Sequence, residues 1–145
     1  MNQHTVSLVQ ASWKKVAAIA PQAAELFYQN LFAVDPALKP LFKGDMAEQG
    51  RKLMHMIDAA VAKLDDLDML VPVLQDLARR HNGYGVKKKD YQTVGAALLK
   101  TLERGLGKDF TAEVKEAWSS VYGVMAEVMI AAATKTERKA AAVAK

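Results

Sequence analysis

The sequence predicts an all-α domain, on three observations. Apolar residues recur at spacings of three and four along nearly all of the 145 residues, the period of a helix with one buried face. No stretch alternates apolar and polar for long enough to read as a strand. Proline, glycine and capping residues punctuate the chain between the periodic segments.

The elements follow in order. Thr5 is placed to cap a first helix whose apolar face is Val6, Val9, Trp13 and Val16. Pro21 suits the first turn of a second, with Ala23, Phe27, Asn30, Leu31 and Val34 down one side. Asp35-Pro36 reads as a cap and first turn opening a short, tight helix through Leu38, which Pro40 helps to end. After a loop around Lys43-Gly44-Asp45, a long helix is predicted from about Met46 to Lys63, striped by Leu53, Met56, Ile57, Ala60 and Leu64. Asp68 is placed to cap the next, which tolerates Pro72 near its start and leads to His81. Asn82-Gly83-Tyr84-Gly85 then turns the chain. Asp90 is placed to cap a helix with Val94, Leu98, Leu99 and Leu102 inward, and Gly105-Leu106-Gly107 stops it. Thr111 opens the last long helix, striped by Val114, Trp118, Val121, Tyr122, Met125 and Met129. Residues 134–145 are polar or alanine and are expected to fray. The sum is one domain over residues 1–145 with about seven helices.

Composition removes several classes of function. The chain is 51% apolar and 25% charged, as ordered globular chains are. No apolar run approaches the length of a membrane span, and Met1-Asn2-Gln3-His4-Thr5 lacks a secretory start. There is no cysteine, so disulfides, cysteine zinc clusters, iron–sulfur ligation and covalent haem attachment are out. That is compatible with a reducing, cytoplasmic setting. The net charge of +4 comes from scattered basic residues apart from Lys87-Lys88-Lys89 and the tail. A nucleic-acid groove would want a basic stripe interleaved with aromatics. Neither nucleic acid nor membrane is an expected partner.

His81 is the residue with chemistry to explain. Leu70, Leu74, Leu77 and His81 fall within about 60° of one another around a helix. An imidazole on a buried face needs a partner for each ring nitrogen. Two readings meet that need: a core histidine bonded to a carbonyl, or a metal ligand whose second nitrogen is hydrogen-bonded.

Four pieces of sequence favour the second. They are Leu26-Phe27-Tyr28-Gln29-Asn30-Leu31-Phe32, Asp35-Pro36-Ala37-Leu38-Lys39-Pro40-Leu41-Phe42, Arg79-Arg80-His81 with Gly85-Val86, and Tyr91-Gln92-Thr93-Val94-Gly95. Ala117-Trp118 and Val121-Tyr122-Gly123 add to them. In this order and spacing, across roughly Ser7 to Val128, the chain resembles the globins. Within that family it is most similar to bacterial single-domain haemoglobins, related to flavohaemoglobin haem domains and neuroglobin-like globins. The resemblance implies a globin fold enclosing one haem b, held without covalent bonds.

Residue by residue, it makes His81 the proximal iron ligand and Phe42 the aromatic that packs on the porphyrin. Val86, Val94 and Leu98 become apolar walls, and Lys52 and Arg80 candidates to pair with haem propionates. Gln49 falls at the distal position, where many globins keep a histidine, and Tyr28 matches a distal tyrosine. Around the long helix Gln49 lies about 40° from Leu53 and about 20° from Ala60, so it shares their face. Gly50 is expected to loosen the helix there. His55 lies about 160° from Leu53 and points away, while His4 falls in an end expected to be mobile. Tyr91 matches a tyrosine that, in flavohaemoglobin-like domains, acts on the proximal histidine with a glutamate. The matching late position here is Ala133, which argues against peroxidase-like chemistry.

The resemblance therefore implies reversible binding of dioxygen, nitric oxide or carbon monoxide at five-coordinate iron, for oxygen storage or transport. The alternative is nitric oxide dioxygenation, which would need a separate reductase because no nucleotide-binding segment is present in these 145 residues. A gas sensor and a haem-free helical module are further alternatives.

Overall fold

Asn2, not Thr5, opens the chain's first helix. In the computed structural model, helix α1 (Gln3–Ala17) starts three residues early because the Asn2 side chain accepts the Thr5 amide. The structure describes the backbone of residues 2–42, 44–83 and 88–144, and the side chains of 2–40, 42, 44–80 and 89–133. Helix α2 (Ala20–Val34) has its proline in the first turn, as expected. A 3₁₀ segment (Pro36–Leu41) follows, capped by Asp35 through the Ala37 amide at 3.1 Å, and it contains Pro40 rather than ending at it. Helix α3 (Met46–Ala62) is capped by Asp45.

Helix α4 (Leu67–Gly83) begins one residue ahead of Asp68; Asp66 instead accepts the Met69 amide at 3.3 Å. Helix α5 (Lys88–Leu106) likewise starts before Asp90, which sits buried in its first turn. Gly107, at φ 57°, turns the chain out of α5 as the glycine pair predicts. Thr111 caps helix α6 (Ala112–Ala144) through the Val114 amide. The polar end expected to fray is instead helical to Ala144, making α6 33 residues long. Six α-helices and two 3₁₀ segments, with no strand among the described residues, match the predicted class.

Helix α2 packs on α3 and α5, α4 packs on α6, and α1 lies across α3, α5 and α6. Their apolar stripes meet in one core around Val9, Val16, Leu31, Leu70, Leu102 and Trp118. Polar groups fix how these helices sit. Trp13 Nε1 donates to Asp58 Oδ1 at 3.0 Å and Gln10 Nε2 to the Val61 carbonyl at 3.1 Å, tying α1 to α3. Asn30 Nδ2 donates to Thr101 Oγ1 at 3.1 Å, and Thr101 passes its own proton to the Ala97 carbonyl, tying α2 to α5.

Trp118 is 1% exposed, and its indole Nε1 donates to Ser12 Oγ at 2.8 Å. Ser12 in turn donates to the Leu8 carbonyl at 2.7 Å. Ser12→Ala keeps the volume nearly constant but orphans the indole N–H. The expected loss is about 2 kcal/mol, read as a lower urea midpoint at unchanged slope.

Candidate functional site

The site grows from one corner, where α2, the 3₁₀ segment and α3 meet. The apolar face of α2 carries Phe27, Tyr28 and Leu31 into the interior. Tyr28 is 9% exposed, its ring stacked on Phe32 (6.1 Å, 21°) and met edge-on by Phe27 and Phe42, both at 5.4 Å. Phe32 and Phe42 also meet edge-on at 5.4 Å. Such tilted pairings set the positive ring edge against the negative face. Phe42, expected as a haem-packing aromatic, is thus half-buried in an aromatic cluster with Tyr28.

Helix α3 reaches this corner through Gly50. A Cβ there would lie 3.0 Å from the Ala24 Cβ and 3.9 Å from Tyr28 Cε2. Gly50 is buried where two helices nearly touch, so its role is close packing, not the loosening expected of it. Gln49, the preceding residue, is half-buried, with Nε2 4.0 Å from where a Cβ on Gly44 would be. Leu53, one turn on, is half-buried against the core.

The Tyr28 hydroxyl is not among the buried side-chain oxygens left without a partner. Burial pushes its phenol up from 10 to about 12. Below pH 10 the group is neutral whether the chain is folded or not. Above it the unfolded phenol ionises first, so folding loses stability as pH rises through the window from 10 to about 12. Between pH 9 and 11, Tyr28→Phe should lose about 1 kcal/mol less stability than the parent. Urea titrations at the two pH values, with tyrosinate absorbance, test this.

A second cluster lies between α5 and α6. Tyr91 and Leu98 are buried and Val94 half-buried along one face of α5. Tyr122 of α6 donates from Oη to the Tyr91 carbonyl at 2.5 Å. A Cβ on Gly95 would stand 2.7 Å from Tyr122 Cε2, so only glycine leaves the ring its place. Burial raises the phenols of both Tyr91 and Tyr122, and Tyr91 adds to the rise at Tyr122.

His81 lies in the last turn of α4; its side chain, and Val86, are outside the described residues. The stripe aimed at it holds as far as it can be followed, with Leu70, Leu74 and Ala78 buried and Leu77 half-buried. Lys52 and Arg80 are exposed and pair along their own helices, Lys52 with Glu48 at 3.9 Å and Arg80 with Asp76 at 3.2 Å. Exposed pairs of this kind hold weakly, so both remain free to meet an anion. His55 is exposed, as expected. His4, expected in a mobile end, instead sits in α1 and pairs with Glu113 of α6.

Three residues had no role assigned in the sequence reading. Phe32 carried a signal, the four-residue spacing from Tyr28 along α2. Gly95 carried a fainter one, a glycine inside a helical stripe. Ala24 carried none, since its importance appears only once α3 crosses it.

A helical domain with a buried aromatic corner where α2 meets α3, and a histidine in the last turn of α4, defines an all-α fold. The chain belongs to the globin family, whose sequence profile matches residues 25–129. It is 31% identical to the neuroglobin of Danio rerio over 143 residues, covering 89% of this chain and 90% of that one. The neuroglobin of Tetraodon nigroviridis is 32% identical over 136 residues, covering 84% and 86%. Among solved structures, a hexacoordinated heme protein from an anhydrobiotic tardigrade, at pH 4, superposes with a TM-score of 0.84. At 18% identity, over 92% of this chain and 96% of that one, it attests the fold. These relatives are animal proteins, and none of them supports the bacterial source expected from the motifs. No described helix is long and apolar enough to cross a membrane.

Proposed function

We propose that this globin holds haem b through His81 and reversibly binds a diatomic gas, dioxygen foremost, for storage or transport in the cytoplasm. The observation that carries the reading is the corner itself, where the Tyr28 phenol packs with Phe32 and Phe42 as one ring set at the meeting of α2 and α3. A flat, apolar cofactor suits the ring set of Tyr28, Phe32 and Phe42, and a gas with a partly negative outer atom suits the hydroxyl.

When bound, haem would supply an iron able to take up the gas, and His81 is the residue we assign to hold it. Tyr28, with Gln49 beside it, donates a hydrogen bond to the gas. Phe42, Leu53, Val86, Val94 and Leu98 form the apolar wall that keeps water out, and Lys52 and Arg80 meet the propionates. Tyr91, held through its carbonyl by Tyr122, supports the proximal side. With glutamine at position 49, no second imidazole would be supplied there to compete with the gas. Placement on the bacterial branch rests on the same Tyr28 and Gln49 pair.

Absorbance spectra of the protein, ferric, ferrous and under dioxygen, test the cofactor and the coordination directly. A chain that stays colourless with added hemin ends the proposal. Tyr28→Phe should raise the dioxygen off-rate about ten- to thirty-fold, the worth of one hydrogen bond to a partly charged acceptor. An unchanged rate would reduce Tyr28 to packing. Nitric oxide dioxygenation would use the same hydroxyl but draw on an external reductase, and catalytic nitrate formation would be its mark.

A further inference from the structure

The outward face of α4 carries an apolar patch with opposite charges at its two ends. Met69 is 58% exposed and Val73 38%, and Pro72 beside them is also exposed. Met69, Pro72, Asp76 and Arg79 lie within about 80° of one another around the helix, opposite the buried Leu70 and Leu74. Exposed Asp65 and Asp66 precede the first turn, and exposed Arg79 and Arg80 stand near the last. Both arginines reach back to Asp76, at 3.5 and 3.2 Å, which leaves that carboxylate compensated within its own chain.

We propose that this face pairs with a second copy of the chain, α4 lying antiparallel against α4 about a two-fold axis between Pro72 and Val73. Under that axis one register satisfies the whole face. Asp65 meets Arg80 of the second copy and Asp66 meets its Arg79, at both ends at once. Pro72 meets Val73 of the second copy on either side of the axis, and Met69 packs beside the Asp76–arginine group. A two-fold interface must be self-complementary in this way. Acidic residues at a helix start and basic residues near its end make an antiparallel pair attractive and a parallel pair repulsive. The 17 residues of α4 span about 25 Å, which fits a weak, micromolar dimer rather than an obligate one. Arg80 is shared with the propionate assignment, whereas Asp65 and Met69 have no part in the gas-binding reading, so Asp65→Lys and Met69→Lys keep the fates of the two proposals separate.

Sedimentation equilibrium on the full chain, from about 10 to about 500 µM, tests it. The mass should rise from 15.8 kDa towards twice that value. Met69→Lys should weaken association at least about tenfold, by placing a charge in the patch. Val34→Lys, at an exposed apolar residue on α2 (42% exposed), should leave it unchanged. Asp65→Lys and Arg80→Glu should each weaken it by about tenfold, and an equimolar mixture of the two should regain the parent affinity because both ends are again attractive. Asp66 is left intact because it caps α4. A chain that stays monomeric throughout, or a dimer indifferent to Met69→Lys, overturns the interface; failure of the mixture to recover overturns the antiparallel register. Circular dichroism of each variant confirms that it is folded.

Discussion

His81→Ala should abolish haem retention while leaving a folded helical chain. An imidazole is the one bond we assign from this protein to iron, and everything else in the pocket is apolar contact or weak surface pairing. Losing a residue that merely supports a metal ligand costs about 10- to 100-fold in affinity, so losing the ligand itself should cost about a hundredfold or more. The ratio of haem to protein absorbance after purification measures it, with His55→Ala as the exposed control. Free imidazole added to the variant should restore part of the colour by filling the vacated space. The competing reading, a core histidine bonded to a carbonyl, predicts a different pattern. It would lower the unfolding midpoint through a lost hydrogen bond and leave the haem content as it was.

The helices were legible because each stripe is long enough for its period to be unmistakable, as in Val114, Trp118, Val121 and Met129 on α6. Their starting points were less so. The stretches before α1 and α4 each offer more than one capping side chain, and the choice depends on which oxygen meets an amide three residues on. Asn2 wins over Thr5 and Asp66 over Asp68 by that geometry. At α5 the helix starts at Lys88 and takes Asp90 into its first turn. Composition misled at the other end, since residues 134–144 combine polarity with the best helix former, and alanine's propensity carries α6 through them.

The site divides along the same line. Tyr28, Phe42, Leu53 and Leu98 could be named in advance because each sits on a stripe or in a recurring motif. What holds them could not. The approach of Gly50 to Ala24 and of Gly95 to Tyr122 belongs to the crossing of two helices, and no single helix encodes it.

Gly50→Leu tests that crossing, with an expected loss of about 3 kcal/mol, the upper range for overpacking a well-filled interior. A Cβ alone would already stand 3.0 Å from the Ala24 Cβ, and the neighbour is a short side chain on a helix backbone, with no flexible end to swing aside. Leucine adds three further carbons, so α3 must lift away from α2. Moving the helices apart also draws the Gln49 and Leu53 face away from Tyr28, so ligand release should quicken along with the loss of stability. Gly50→Ala alone sets about 1 kcal/mol of helix propensity against the contact. Combining it with Ala24→Gly moves the methyl from one helix to the other and refills the same space. That pair should unfold at nearly the parent's urea midpoint, while Gly50→Leu does not. If Gly50→Leu proves as stable as the parent, α2 and α3 do not meet at residue 50, and the corner around Tyr28 is built some other way.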